Sequence, residues 1–236
     1  MSSVVFPSPD AGPSGPPPPP GLDEARFDAA ARDLITGDAD LAAAVAGHGW
    51  PPFWTRPPGF ASLVLFILEQ QVSLASAAAT YRRLAERTGV VAPGPVAAMD
   101  PDVMRTAGVS RQKARCLREL GEAVNSGRLD LTALAAAAEC DARAALTAIP
   151  GIGRWTADIY LLACLGYPDL WPTGDRSLQV ASAEALGLAD VPTAADLDAI
   201  GERWRPWRSV AARILWHGYL SRRGRTETPN DVLGPG

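Results

Sequence analysis

The chain has 236 residues, enough to bury a substantial core as one large domain or two close lobes. Its 22 basic and 26 acidic side chains give a formal charge of −4, so overall charge does not draw the molecule to a polyanion. Three widely spaced cysteines exclude a disulfide framework and read as reduced core thiols of a cytosolic protein. The two histidines, His48 and His217, read as structural, and no Cys/His cluster has metal-ligand spacing.

Alanine and leucine dominate, β-branched runs are short, and no alternating strand pattern persists, which predicts an all-α fold. The basic residues are clustered, at Arg111 to Arg118 and again from Arg203 to Arg225, while acidic residues gather at 10–40 and 184–202. A locally positive face can hold phosphate on an acidic protein.

Residues 1–21 are rich in Pro, Gly and Ser and read as a disordered tail, neither a signal peptide nor a membrane span. Helical periodicity starts near Asp23, pauses at Thr36-Gly37 and resumes through Leu41 to Ala46. An aromatic loop with Trp50, Phe53 and Trp54 follows, packed on the core or helping to wall a pocket. The apolar run Phe60 to Leu68 is too short to cross a bilayer and reads as a buried helix. It stops abruptly at Glu69-Gln70-Gln71, before an Ala-rich helix through Ala85.

Two short helical segments span 93–107, and Ser110 is placed to cap a helix from Arg111 to Val124 with a basic start that includes Lys113. Segments 131–138 and 140–148 lead to Ile149-Pro150-Gly151-Ile152-Gly153, then a helix from Trp155 to Leu165. The loop Asp169 to Gly174 delivers Asp175. Helical patterns follow at 176–186, 194–204 and 207–221, with Pro206 in the place of a helix-starting proline, and the residues from 224 read as a flexible tail.

The stretch 146–163 is two helical patterns around a glycine hairpin. Pro150 ends the first, because the residue before a proline is pushed out of the helical region. Gly151 and Gly153 can adopt positive φ and lack the Cβ that would hold another surface away. The next helix begins immediately, so its first N–H groups lack intrahelical partners, and together these features suit an anion such as a DNA phosphate. Ile149 and Ile152 would face inward and hold the helices together. The other reading is a tight turn between packed helices.

With its extension Gly-Arg-Trp-Thr-Ala-Asp and Asp175 one helix and one loop downstream, this stretch resembles the helix-hairpin-helix superfamily of DNA glycosylases. The run Glu202-Arg203-Trp204-Arg205-Pro206-Trp207-Arg208-Ser209 is similar to the alkyl-purine branch, DNA-3-methyladenine glycosylase II. The likeness spans roughly residues 55–222. It implies a two-lobed helical bundle, residues 22–223, with a cleft between lobes and without the N-terminal β domain of the bacterial member. It also implies a monomer acting on duplex DNA with a damaged base, in the cytoplasm with the chromosome. The implied reaction is hydrolysis of the N-glycosidic bond of alkylated purines in base excision repair.

The resemblance also implies roles. Asp175 would be the catalytic carboxylate, although Gly-Asp before Arg-Ser-Leu is equally a helix N-cap. Trp155 and Trp216 would be aromatic walls attracting a cationic base, or ordinary core tryptophans, with Trp54 as a further wall. Ile159 and Arg176 stand where the bacterial member has tyrosines. Gln71, helped by Gln70, would enter the duplex where a base has been extruded. Backbone contacts to DNA would come from Arg111, Lys113, Ile149, Gly151, Ile152, Gly153 and Arg154.

No cofactor is implied, although a monovalent cation at the carbonyls of Thr147 and Ile149 is a family feature. Members that also cut the strand carry a lysine at position 155, where this chain has Trp155. Members with an iron–sulfur loop have four close cysteines. Two other functions fit the motif: a glycosylase for a deaminated or oxidised base, and a non-catalytic DNA-binding module.

Overall fold

The computed structural model describes residues 21–225, so the tails expected at 1–21 and 224–236 lie almost wholly outside it. Twelve α-helices and no strand occur among the described residues: α1 (Glu24–Gly37), α2 (Ala39–His48), α3 (Phe60–Glu69), α4 (Leu74–Thr88), α5 (Pro93–Ala98), α6 (Pro101–Thr106), α7 (Arg111–Asn125), α8 (Glu139–Thr147), α9 (Arg154–Leu165), α10 (Arg176–Leu186), α11 (Ala194–Gly201) and α12 (Arg208–Ser221). Short 3-10 turns occupy Ala133–Ala136 and Glu202–Trp204. None of these helices is long and apolar enough to cross a membrane.

The helices form two lobes. In one, α1, α2, α10 and α12 pack on each other and α11 joins through α10. In the other, α3 packs on α4, α7 and α9, while α5 and α6 cover α7 and α8 covers α9. The chain passes between lobes in the loops 49–59 and 166–175. Helix α3 is buried from Ser62 to Leu68, so it belongs to the core on nearly all sides, as its unbroken apolar run requires. Each buried leucine there stabilises the fold by about 1.5–3 kcal/mol.

The aromatic loop joins the lobes. Phe53 stacks on Phe27 of α1 at 5.2 Å. Arg56 forms a buried two-point ion pair with Glu69 at 2.7 and 3.0 Å, and its backbone N–H donates to Ala163 in α9. Helix α12 reaches the same loop, with Arg213 donating to the Trp54 carbonyl and lying 4.4 Å from the Trp54 ring. His48 and His217 are structural, as expected: the His217 ring meets the His48 carbonyl at 3.1 Å.

Two expectations need correction. Pro206 does not start a helix; it sits in the turn before α12, whose N-cap is Trp207, and the Arg205–Pro206 peptide is cis. The cysteines are all free, but only Cys116 is buried, and Cys140 is exposed at the start of α8.

Asp38 closes the first lobe. Its carboxylate caps α2 through the Asp40 and Leu41 amides, accepts the Trp204 indole N–H at 2.8 Å and pairs with Arg203 at 2.7 Å. Burial pushes its pKa up, but the Leu41 amide, the Trp204 indole and the Arg203 charge outweigh that and leave it below the ordinary value. The native state therefore binds this proton less tightly than the unfolded chain. The stability gained is complete above the unfolded pKa and is lost as pH falls through the native one. Urea unfolding below pH 5 is expected to show a shallower acid loss in Asp38→Asn than in the wild type; equal slopes would contradict this.

Candidate active site and nucleic-acid interface

The hairpin is a type II turn. Ile152 N–H donates to the Ile149 carbonyl at 3.0 Å, with Pro150 and Gly151 at the central positions and Gly151 at φ +96°. Gly151 has a second reason to be glycine: a Cβ would lie 2.7 Å from Cys116 Cβ and 2.8 Å from its sulfur. Burial in that contact raises the Cys116 thiol pKa to about 12, so it acts as an apolar packing group. Ile149 and Ile152 are buried, as expected.

Gly153 does not use the positive φ open to it. It is extended, at φ −87°, and serves as the N-cap of α9 with no side-chain cap. No heavy atom lies within 4 Å of where its Cβ would be, so its backbone is open from outside. The first amides of α9 stand behind it.

The junction of α3 and α4 meets the hairpin. Gln70 Nε2 donates to the Gly151 carbonyl at 3.2 Å and to Thr156 Oγ1 at 2.9 Å. Gln71 next to it is exposed and takes φ +58°, a conformation that costs a side-chain-bearing residue about 1–2 kcal/mol. Among the described residues it is the only non-glycine with positive φ. Such strained residues concentrate at ligand contacts.

Lys113 does not face outward as a basic stripe would. Its amine donates to the carbonyls of Leu68 and Gln70, both at 2.8 Å, closing the C-terminal end of α3, and burial lowers its pKa. Arg111 lies on another face of α7, in a groove of about 360 Å³ lined by Arg105, Arg115 and Arg118 and by the acids Asp102, Glu119 and Glu122. Arg154 is half exposed, but its guanidinium is engaged with Asp158 and, at two points, with Asp198.

Asp175 ends the second inter-lobe crossing. One carboxylate oxygen accepts the Leu178 amide at 2.9 Å, so the capping role is real. The other accepts the Trp155 indole N–H at 2.9 Å. Trp155 is the second residue of α9, so this bond joins the carboxylate to the helix that leaves the hairpin. Asp175 is only partly buried and Trp155 is half-buried, which leaves both open on one side.

The other aromatic candidates are elsewhere. Trp54 and Trp216 pack against each other at 6.1 Å, and Trp216 is 7% exposed. The Trp54 ring already carries the Arg213 guanidinium, while its buried indole N–H has no partner among the described residues. Trp54 therefore has a cation on its ring already and its N–H closed off from solvent. Ile159 is buried in α9, and Arg176 is exposed and bonded to Gln179.

Sequence reasoning missed the polar network behind the hairpin. Asp158 is fully buried between Arg143, at 2.5 Å, and Arg154. Asp198 links Arg154 to Thr173, in the loop that carries Asp175. The i,i+4 spacing of Arg154 and Asp158 was a readable signal. Nothing in the chain marked Asp198.

A family model described as HhH-GPD superfamily base excision DNA repair protein matches residues 64–206, and the chain belongs to that family. Its relatives include DNA-3-methyladenine glycosylase 2 of Escherichia coli, 31% identical over 177 residues, which cover 69% of this chain and 60% of that protein. A crystal structure of DNA-3-methyladenine glycosidase from Bacillus halodurans is 31% identical, with a TM-score of 0.71, covering 86% of this chain and 95% of that one. The 3-methyladenine DNA glycosylase of Schizosaccharomyces pombe, solved with abasic DNA, is 26% identical, with a TM-score of 0.72, covering 80% and 95%. The chain thus covers 95% of each of these two solved relatives, but only 16%, 43% and 60% of three curated ones, the last being the Escherichia coli protein.

Proposed function

We propose that this protein is a monofunctional DNA glycosylase that hydrolyses the N-glycosidic bond of alkylated purines in duplex DNA. The observation that carries this reading is the Asp175–Trp155 pair: a carboxylate and an aromatic plane joined by a hydrogen bond, one helical turn from a glycine hairpin.

Breaking the bond to the base builds positive charge on the deoxyribose. A fixed carboxylate beside the sugar stabilises that charge and orients the attacking water. Both Asp175 oxygens are already held by N–H donors, so the group needs little reorganisation as charge develops. An alkylated purine carries its own positive charge and leaves without a general acid. Trp155 would offer it a π face, worth about 1–2 kcal/mol when desolvated. Trp216, packed on Trp54, would be a further aromatic wall.

The backbone of Gly151 and Gly153 and the open start of α9 would receive a phosphate, with Arg111 at the start of α7 holding the duplex farther along. Gln71, already in its strained conformation, would fill the gap left by the extruded base. The carbonyls of Thr147 and Ile149 are neutral oxygens at the C-terminal end of α8, a donor set that fits a monovalent cation. Strand cleavage through an amine is disfavoured because the only lysine, Lys113, is committed to two carbonyls.

The test is release of free bases from methylated, deaminated and oxidised duplexes, identified by mass. The expected products are 3-methyladenine and other alkylated purines with the strand intact. Uracil or 8-oxoguanine alone would overturn the substrate class, and release of no base from any duplex would overturn the enzyme reading.

A further inference from the structure

We infer that Asp198, on α11, is a positioning residue that sets where the loop 171–175 presents the Asp175 carboxylate; this rests on the reading of Asp175 above. Helix α11 holds that loop at two points. The Trp171 indole N–H donates to the Leu197 carbonyl at 2.8 Å, and the Thr173 hydroxyl donates to Asp198. Gly201, on the same helix, allows the approach, since a Cβ there would stand 2.6 Å from the Trp171 indole nitrogen. Between these anchors and Asp175 the chain has little freedom: Thr173 N–H bonds Trp171 O, and Asp175 N–H bonds Pro172 O, both at 2.9 Å.

Asp198 itself is oriented by Arg154, whose two terminal nitrogens reach its two oxygens at 3.3 Å. Arg154 is the first residue of α9, directly after the hairpin. One carboxylate therefore joins the phosphate-facing end of α9 to the loop that ends in Asp175. The Arg154 and Asp198 side chains are 53% and 42% exposed, so the pair adds little to stability. What it fixes is geometry, on which positioned catalysis depends steeply.

The experiment is single-turnover base release from an alkylated duplex, with DNA affinity and melting temperature measured in parallel, for Asp198→Ala, Asp198→Asn, Thr173→Val and Asp175→Asn. Asp198→Ala and Thr173→Val are each expected to slow release about tenfold while DNA affinity stays within about twofold and melting is unchanged. Asp198→Asn, whose amide oxygen accepts the Thr173 hydroxyl and keeps one of the two Arg154 contacts, recovers part of the rate. The double variant Thr173→Val/Asp198→Ala is no slower than either single one. Wild-type release by Asp198→Ala beside an inactive Asp175→Asn overturns the positioning role alone. So does a slowed rate matched by an equal loss of affinity. Full release by Asp175→Asn overturns the reading on which it stands.

Discussion

Asp175→Asn is expected to lose base release by about a hundred- to a thousandfold while binding the same duplexes as tightly as the wild type. Asparagine is as good an N-cap as aspartate, so α10 keeps its start and the melting temperature should fall only slightly. The asparagine's single acceptor oxygen stays on the Leu178 amide, while its NH2 group faces the Trp155 indole N–H and gives up that bond. What disappears is the negative charge beside the sugar. The same carboxylate is a liability for binding, since it faces a polyanion, so affinity should hold or rise slightly. A glycosylase assay beside a binding titration separates the two quantities. Loss of binding and activity together would make Asp175 a structural cap instead.

The second large effect is at the hairpin, where two glycines serve different purposes. Gly151→Ala places a Cβ into Cys116 at φ +96°. The left-handed backbone costs about 1–2 kcal/mol and the overpacking about 1–3 kcal/mol more, so urea unfolding should show a loss of roughly 2–5 kcal/mol. DNA affinity should fall with it, because the turn must shift. Gly153→Ala is extended with empty space around its Cβ, so the loss of stability should stay under about 1 kcal/mol. Its methyl group nevertheless stands where a phosphate would approach the α9 amides, and affinity should drop several-fold. Equal behaviour of the two variants in both measurements would contradict this division of labour.

Much of the scaffold was legible in the chain because it is written in local rules. Helix starts at Ser110 and Asp175 follow from capping chemistry, and the α3 core helix follows from an unbroken apolar run. The hairpin was legible because Pro150 and Gly151 fill the two central positions of one turn type. Tertiary partners were not. A basic residue on a helix reads as a solvated or DNA-facing charge, and nothing in the sequence shows that Lys113 turns inward to two carbonyls of α3. Likewise Trp54 reads as a free aromatic wall until Arg213, 159 residues later, is seen on its face. Both hairpin glycines can adopt positive φ, and of the two Gly151 alone does, since one turn needs a single left-handed residue. The fixed φ of Pro206 suits the start of a helix, whereas here it serves the turn that precedes one.

The measurement that reaches the chemistry most directly is the affinity for duplex DNA in which the target sugar is replaced by a cationic pyrrolidine, compared with a neutral abasic analogue. A protein built to stabilise a cationic sugar binds the charged mimic more tightly, and that preference should vanish in Asp175→Asn. Equal affinities for both analogues in the wild type, or a preference that survives the substitution, would contradict the assignment of Asp175 as the charge that meets the reacting sugar.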